Sequence, residues 1–186
     1  MLFVAEFRQQ IGQSTMTTYL NEVASDLLLA MFNWIQGMYK PAKLELRCAI
    51  ENFLKALQSV DNAQIILEKS VYAIFDEAKN DRHFNNTYGE IKLRHFKNDY
   101  AVLCRVAHSA PQDINSMSAM NHLPKYDIQI SNEVASLYIK ILENSLGVLC
   151  AQYPSAIDKM HPDNKKDFLD CLSKSAKKEI NTYLYS

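Results

Sequence analysis

The segment from Tyr88 to Ser109, YGEIKLRHFKNDYAVLCRVAHS, carries residue types from which a metal-free phosphodiester chemistry can be built. At about 100° per residue, Arg94, Asn98, Arg105 and His108 project within roughly 80° of one another on a helix, with Ala101 filling the gap. An imidazole can take the proton from an RNA 2′-hydroxyl while a guanidinium stabilises the charge developing on phosphorus. His108 is therefore the candidate general base and Arg105 the candidate phosphate electrophile. Arg94, Lys97 and Asn98, earlier on the same helix, are candidates to hold the RNA backbone. The same residues also have a purely structural reading. His108 would cap the helix C-terminus, where a cationic imidazole is favoured, and Arg105 would pair with an acid of a neighbouring helix. The turns around Arg105 are otherwise apolar, Ala101 to Cys104 and then Val106 and Ala107, so this half of the helix is expected to be largely buried in the domain or an oligomer and its polar residues to need partners.

Other chemistries find less support. There is no glycine-rich phosphate loop, no His-Glu-x-x-His and no Gly-x-Ser-x-Gly, and the carboxylates are not paired in one apolar cleft, so neither cofactor nor metal is expected. Cys48, Cys104, Cys150 and Cys171 lie far apart, with no two at a metal-ligand spacing. Cys104 precedes His108 by one turn, but among apolar neighbours it reads as a structural cysteine rather than a nucleophile. His83 falls in the Asn-rich stretch NDRHFNNTYG and reads as a solvated loop histidine; His122 has no neighbours that complete a metal site.

The elements that position these residues are helical. The 186-residue chain has four glycines and five prolines, and its hydrophobic residues, 48% of the total, are spread along its length. Helical periodicity covers residues 2–12 and a core helix over Thr17 to Met38, where Leu20, Val23, Ala24, Leu27, Leu28, Met31, Trp34 and Ile35 repeat at helical spacing. It continues from Pro41 to Leu57 and from an N-capping Asp61 to Asn80, then through the central helix. Residues 110–130 form a long loop with weak periodicity, and two further helices follow, from Ser131 to Tyr153 and over 163–184. Lys174, Lys177 and Lys178 suit the late turns of the last helix, where cations complement its dipole. Arg47 and Glu51 are an (i, i+4) pair, either a surface ion pair worth about 0.3–0.5 kcal/mol or a means of ordering the polar stripe of the central helix. The architecture expected is one all-α domain over 1–186, a bundle of six or seven helices with its core over 18–150 and the helix 163–184 packed on it.

A net charge of −1 argues against a protein that coats nucleic acid nonspecifically, though a local basic cleft remains compatible with it. No secretory signal is apparent in MLFVAEFRQQ and no segment is expected to reach the length of a membrane span, so a cytoplasmic protein with reduced thiols and no membrane contact is expected.

Two segments together resemble the HEPN superfamily. In the first, Leu46-Arg47-Cys48-Ala49-Ile50-Glu51 is followed by Phe53-Leu54-Lys55-Ala56-Leu57. In the second, Tyr100-x-x-Leu103-Cys104 leads to His108-Ser109. Both are similar to motif helices of HEPN-like families in bacterial defence loci. The resemblance implies an all-α fold, homodimers with the motif helices facing across the interface, a partner protein from the same operon and, in active members, metal-independent RNA cleavage. Active members space the arginine and histidine more widely than the two residues between Arg105 and His108. Two functions follow as expectations: an RNA-binding and RNA-cleaving component of a prokaryotic defence or toxin–antitoxin system, or a non-catalytic interaction and dimerisation module of the same fold.

Overall fold

The computed structural model describes residues 2–12, 14–107 and 124–185, and these are helical, with no strand among them. Nine α-helices occur among the described residues: α1 (Leu2–Ile11), α2 (Thr15–Ile35), α3 (Tyr39–Gln58), α4 (Val71–Ala78), α5 (Thr87–Ala107), α6 (Ile128–Gln152), α7 (Pro154–Asp158), α8 (Pro162–Asp170) and α9 (Lys174–Leu184). The all-α bundle expected from periodicity is present, with more and shorter helices than six or seven.

The bundle is built around α3. Leu46, Ala49, Ile50, Phe53, Leu54, Ala56 and Leu57 are buried, and α3 packs on α2, α4, α5 and α6. Small residues at Ala42, Ala49 and Ala56, one heptad apart, let neighbouring helices approach this axis closely. α2 and α3 form a helical hairpin whose turn holds Gly37 at φ 72°. A Cβ there would also collide with the Lys125 carbonyl oxygen, so the turn fixes where the chain enters α6. Trp34 reinforces this junction, its Nε1 donating to the Ser131 hydroxyl at 2.9 Å. Lys43 of α3 is buried and pairs with Glu133 of α6 at 3.0 Å.

Several boundaries differ from the periodic reading for identifiable reasons. The helix expected from Asp61 to Asn80 is a 3₁₀ turn (Ala63–Leu67), capped by Asn62, followed by α4, capped by Ser70; competing side-chain caps divide one periodic run. The helix expected over 163–184 is likewise split, because Ser173 caps a new helix by accepting from the Ala176 N–H at 3.2 Å. Lys174 and Lys177 consequently sit at the start of α9 rather than in late turns, so the dipole does not account for them; Lys177 pairs instead with Asp170 at 3.4 Å. On α2, Leu28, Met31 and Ile35 are exposed although their spacing suggested core, since α3 covers only the Leu20, Val23 and Leu27 side.

α6, at 25 residues, is long and apolar enough to cross a membrane by length and composition, contrary to the expectation that no segment would be. Its apolar surface is spent on the fold: 61% of its most apolar stretch is buried, and it packs on α2, α3, α5 and α9.

The largest departure is His83. It is 2% exposed, its Nδ1 lies 2.7 Å from Asp81 Oδ1 and its Nε2 lies 2.6 Å from the Tyr153 hydroxyl, so it is a buried bridge rather than a solvated loop residue. The bridge ties the turn before α5 to the end of α6. Gly89 completes the fit, because a Cβ there would fall 2.5 Å from the His83 carbonyl oxygen.

Candidate nucleic-acid interface

α5 begins where Asn86 accepts the Gly89 N–H through Oδ1 at 2.8 Å, a side-chain cap that satisfies one of the free donors of the first turn. Tyr88, Leu93, Phe96 and Leu103 then anchor the helix in the core, with Phe96 against Phe53 of α3 at 5.4 Å between ring centroids. Burial of this one face fixes the rotation of α5 and hence the direction of every polar residue on it.

Arg94, Lys97, Asn98, Ala101 and Arg105 consequently share the exposed face. Burial of this half of the helix within the domain is corrected: Leu103 is buried and Val102 and Cys104 are half-buried, but Ala101 and Arg105 face solvent in the single chain. The apolar run misled because alanine is small enough to cost little when exposed, so it marks no core by itself. In water these cations need no protein partner. Arg94 and Asn98 are neighbours one turn apart, and Arg105 lies roughly 16 Å from Arg94 along the helix axis. His108 lies outside the described residues, as does His122.

The ridge separates two clefts. On one flank a groove of about 850 Å³ runs between α4 and α5, lined by Val71, Tyr72, Phe75, Lys79, Lys97, Tyr100, Ala101 and Cys104, with Arg47 of α3 at its edge. On the other flank a cleft of about 470 Å³ opens between α5, α6 and the start of α9, and Asn98 reaches its rim.

Arg47 and Glu51 form the anticipated ion pair, and they reach α5 at Tyr100 rather than at the polar stripe. Arg47 Nε lies 3.1 Å from Glu51 Oε1 as an (i, i+4) pair, and the same carboxylate oxygen accepts from the Tyr100 hydroxyl of α5 at 2.6 Å. The guanidinium also stands 5.6 Å from the Tyr100 ring centroid. An ion pair of that kind contributes about 0.3–0.5 kcal/mol, whereas a hydrogen bond to a charged group contributes about 1.5–3 kcal/mol, so the link from α3 to α5 is carried by Tyr100. Burial, together with the hydrogen bond and charge of Glu51, pushes the Tyr100 phenol well above its usual range, which keeps it a donor.

Groove chemistry is mixed in a useful way. Tyr72 is 88% exposed, Phe75 packs edge-on to Tyr100 at 5.6 Å, and Lys97 supplies a cation beside these aromatic surfaces, while Lys79 pairs with Asp76 and Arg47 with Glu51. Aromatic faces bind unpaired bases by stacking, and nearby cations bind phosphates. No local pattern marks this groove, because α4 and α5 meet through chain folding and Tyr72 stands in an apolar repeat that looks like core. The clamp of Asp81, His83 and Tyr153 was also hidden: Tyr153 is 70 residues from His83. A short-range signal did exist in Asp81-x-His83 followed by Asn86-x-x-Gly89, which is a turn and cap pattern rather than a solvated loop.

Among the described residues no group of three or more His, Cys, Asp or Glu could hold a metal ion, and the four cysteines are free thiols. The chain matches no protein-family model, no curated protein and no solved structure.

Proposed function

We propose that this chain is a HEPN-like, cytoplasmic component of a prokaryotic defence or toxin–antitoxin system that binds single-stranded RNA along the exposed ridge of α5 and the adjoining α4–α5 groove. The observation that carries the reading is the alignment of Arg94, Lys97, Asn98 and Arg105 beside a groove presenting Tyr72 and Tyr100. Cations on the ridge hold phosphates while bases enter the groove and stack. Arg47, held by Glu51, orients Tyr100 from beneath. The near-neutral net charge is compatible with a local ridge of Arg94, Lys97 and Arg105 on the exposed face of α5.

In this reading Arg105 and His108 supply metal-independent cleavage, with His108 taking the 2′-hydroxyl proton and Arg105 stabilising the phosphorane charge. The test is incubation of a mixed RNA pool with the purified protein in EDTA, beside folded His108→Ala and Arg105→Ala variants. Cleavage lost in either variant supports the nuclease; a folded wild type that binds RNA but leaves it intact removes cleavage and keeps the binding site.

One observation favours a second reading, a non-catalytic interaction or homodimerisation module. Leu28, Met31, Phe32 and Ile35 form an exposed apolar stripe on α2, at the (i, i+3, i+4, i+7) spacing by which helices dock on a second copy or an operon partner. Sedimentation of the wild type against Phe32→Glu separates the two readings: a dimer abolished while RNA affinity persists assigns the two surfaces different tasks.

A further inference from the structure

The cleft on the opposite flank of α5 is not used by the RNA reading, and its chemistry is different. Its walls bring together Asp99 of α5, Lys140 and Asn144 of α6, and Ser175 in the first turn of α9. Asn144 is 7% exposed, yet its side-chain amide has no hydrogen-bond partner among the described residues. Its polar atoms are not sealed from solvent, so the amide opens onto the cleft it lines. Asp99 is similarly unmatched. Burial raises its pKa, the nearby charges of Lys140 and His95 oppose that rise, and no group among the described residues bonds to the carboxylate. Lys140 faces it without forming an ion pair.

Three of the other groups in the cleft are engaged. Lys92 is 4% exposed and pairs with Glu179 at 2.9 Å, and Glu143 accepts the Ser173 N–H at 2.6 Å. What is left is one carboxylate, one ammonium, one amide and the exposed His95 imidazole, together with those first N–H groups of α9 that the Ser173 cap does not take. Lys140 and Asn144 are one turn apart on the same face of α6, opposite Asp99.

We propose that this cleft is a binding site for a small zwitterion of the α-amino-acid class, whose ammonium pairs with Asp99 and whose carboxylate lies between Lys140, the Asn144 amide and the first turn of α9. A simple anion would meet Asp99, Glu143 and Glu179 together, and a simple cation would leave Lys140 and the α9 N–H groups unmatched. A zwitterion satisfies both ends. The volume of about 470 Å³ is within the range of small-molecule pockets.

The experiment is isothermal titration of the full chain with the standard L-α-amino acids supplied singly at about 10 mM, with thermal shift as a second readout. Hydroxy acids lacking the amine and amines lacking the carboxylate serve as controls. At least one amino acid is expected to bind saturably, with about tenfold or greater loss in Asp99→Asn and in the exposed variant Lys140→Ala, and with neither control binding comparably. RNA affinity of both variants is expected to stay unchanged, so this site and the ridge fail or succeed separately. If no amino acid binds the folded wild type, if both variants bind as wild type does, or if a control binds equally well, the assignment is overturned.

Discussion

The two flanks of α5 are built from the same helix and differ in almost everything else. The α4 flank is largely apolar and aromatic, and its polar groups are paired, Tyr100 and Arg47 with Glu51 and Lys79 with Asp76. The α6–α9 flank is polar, with Asp99 and Asn144 left without hydrogen-bond partners among the described residues. The difference shows how a single amphipathic helix can present two unlike flanks: its buried face sets the rotation, and the neighbours on either side decide what each flank offers.

The most damaging way to test that division is from underneath. Phe96 is fully buried beneath both flanks and packs on Phe53, so Phe96→Ala is expected to cost about 3–5 kcal/mol in urea denaturation. It should loosen both clefts together. His83→Ala comes next. It removes the ring that bridges Asp81 and the Tyr153 hydroxyl, at about 1–3 kcal/mol, although Asp81 keeps the residue-83 backbone N–H and Tyr153 keeps Met16, and it acts on both flanks by freeing the start of α5.

Changes confined to one flank are expected to be smaller. Tyr100→Phe removes the donor to the Glu51 carboxylate, at about 1.5–3 kcal/mol, and should weaken RNA binding without altering amino-acid binding. Asp99→Asn should do the reverse. Since burial raises the Asp99 pKa in the folded protein, the native state binds that proton more tightly than the unfolded chain, and stability rises as pH falls through the folded value. Asp99→Asn is therefore expected to melt slightly higher than wild type at neutral pH, with the advantage vanishing as the pH falls below the carboxylate range. A pH-independent difference would show that the carboxylate is not the cause. On the ridge itself, Arg94→Ala is expected to change stability by no more than about 0.5 kcal/mol while reducing RNA affinity.

How much of this could be read beforehand follows from the range of the interactions. Helices with a long one-sided repeat, such as α3 and α5, were legible because periodicity is a local property. The Arg47–Glu51 pair was legible too, being one turn apart, but its meaning depended on Tyr100, 49 residues from Glu51. Breaks at Ser70 and Ser173 were missed because a cap competes with the helix at a single residue, which a repeat does not register. The exposure of Arg105 was misjudged because Ala101 and its neighbours have the composition of a core without the volume to demand one. Neither cleft was foreseen, since each is made by elements that meet only after folding.

The central claim is that the α5 ridge holds RNA phosphates, and salt dependence measures this most directly. Affinity for a single-stranded RNA would be determined across a salt series for wild type and for Arg94→Ala, Lys97→Ala and Arg105→Ala. The account expects log affinity to fall linearly with log salt, and each substitution to flatten the slope by about one phosphate contact. Affinity that ignores salt, or slopes unchanged in all three variants, would contradict it.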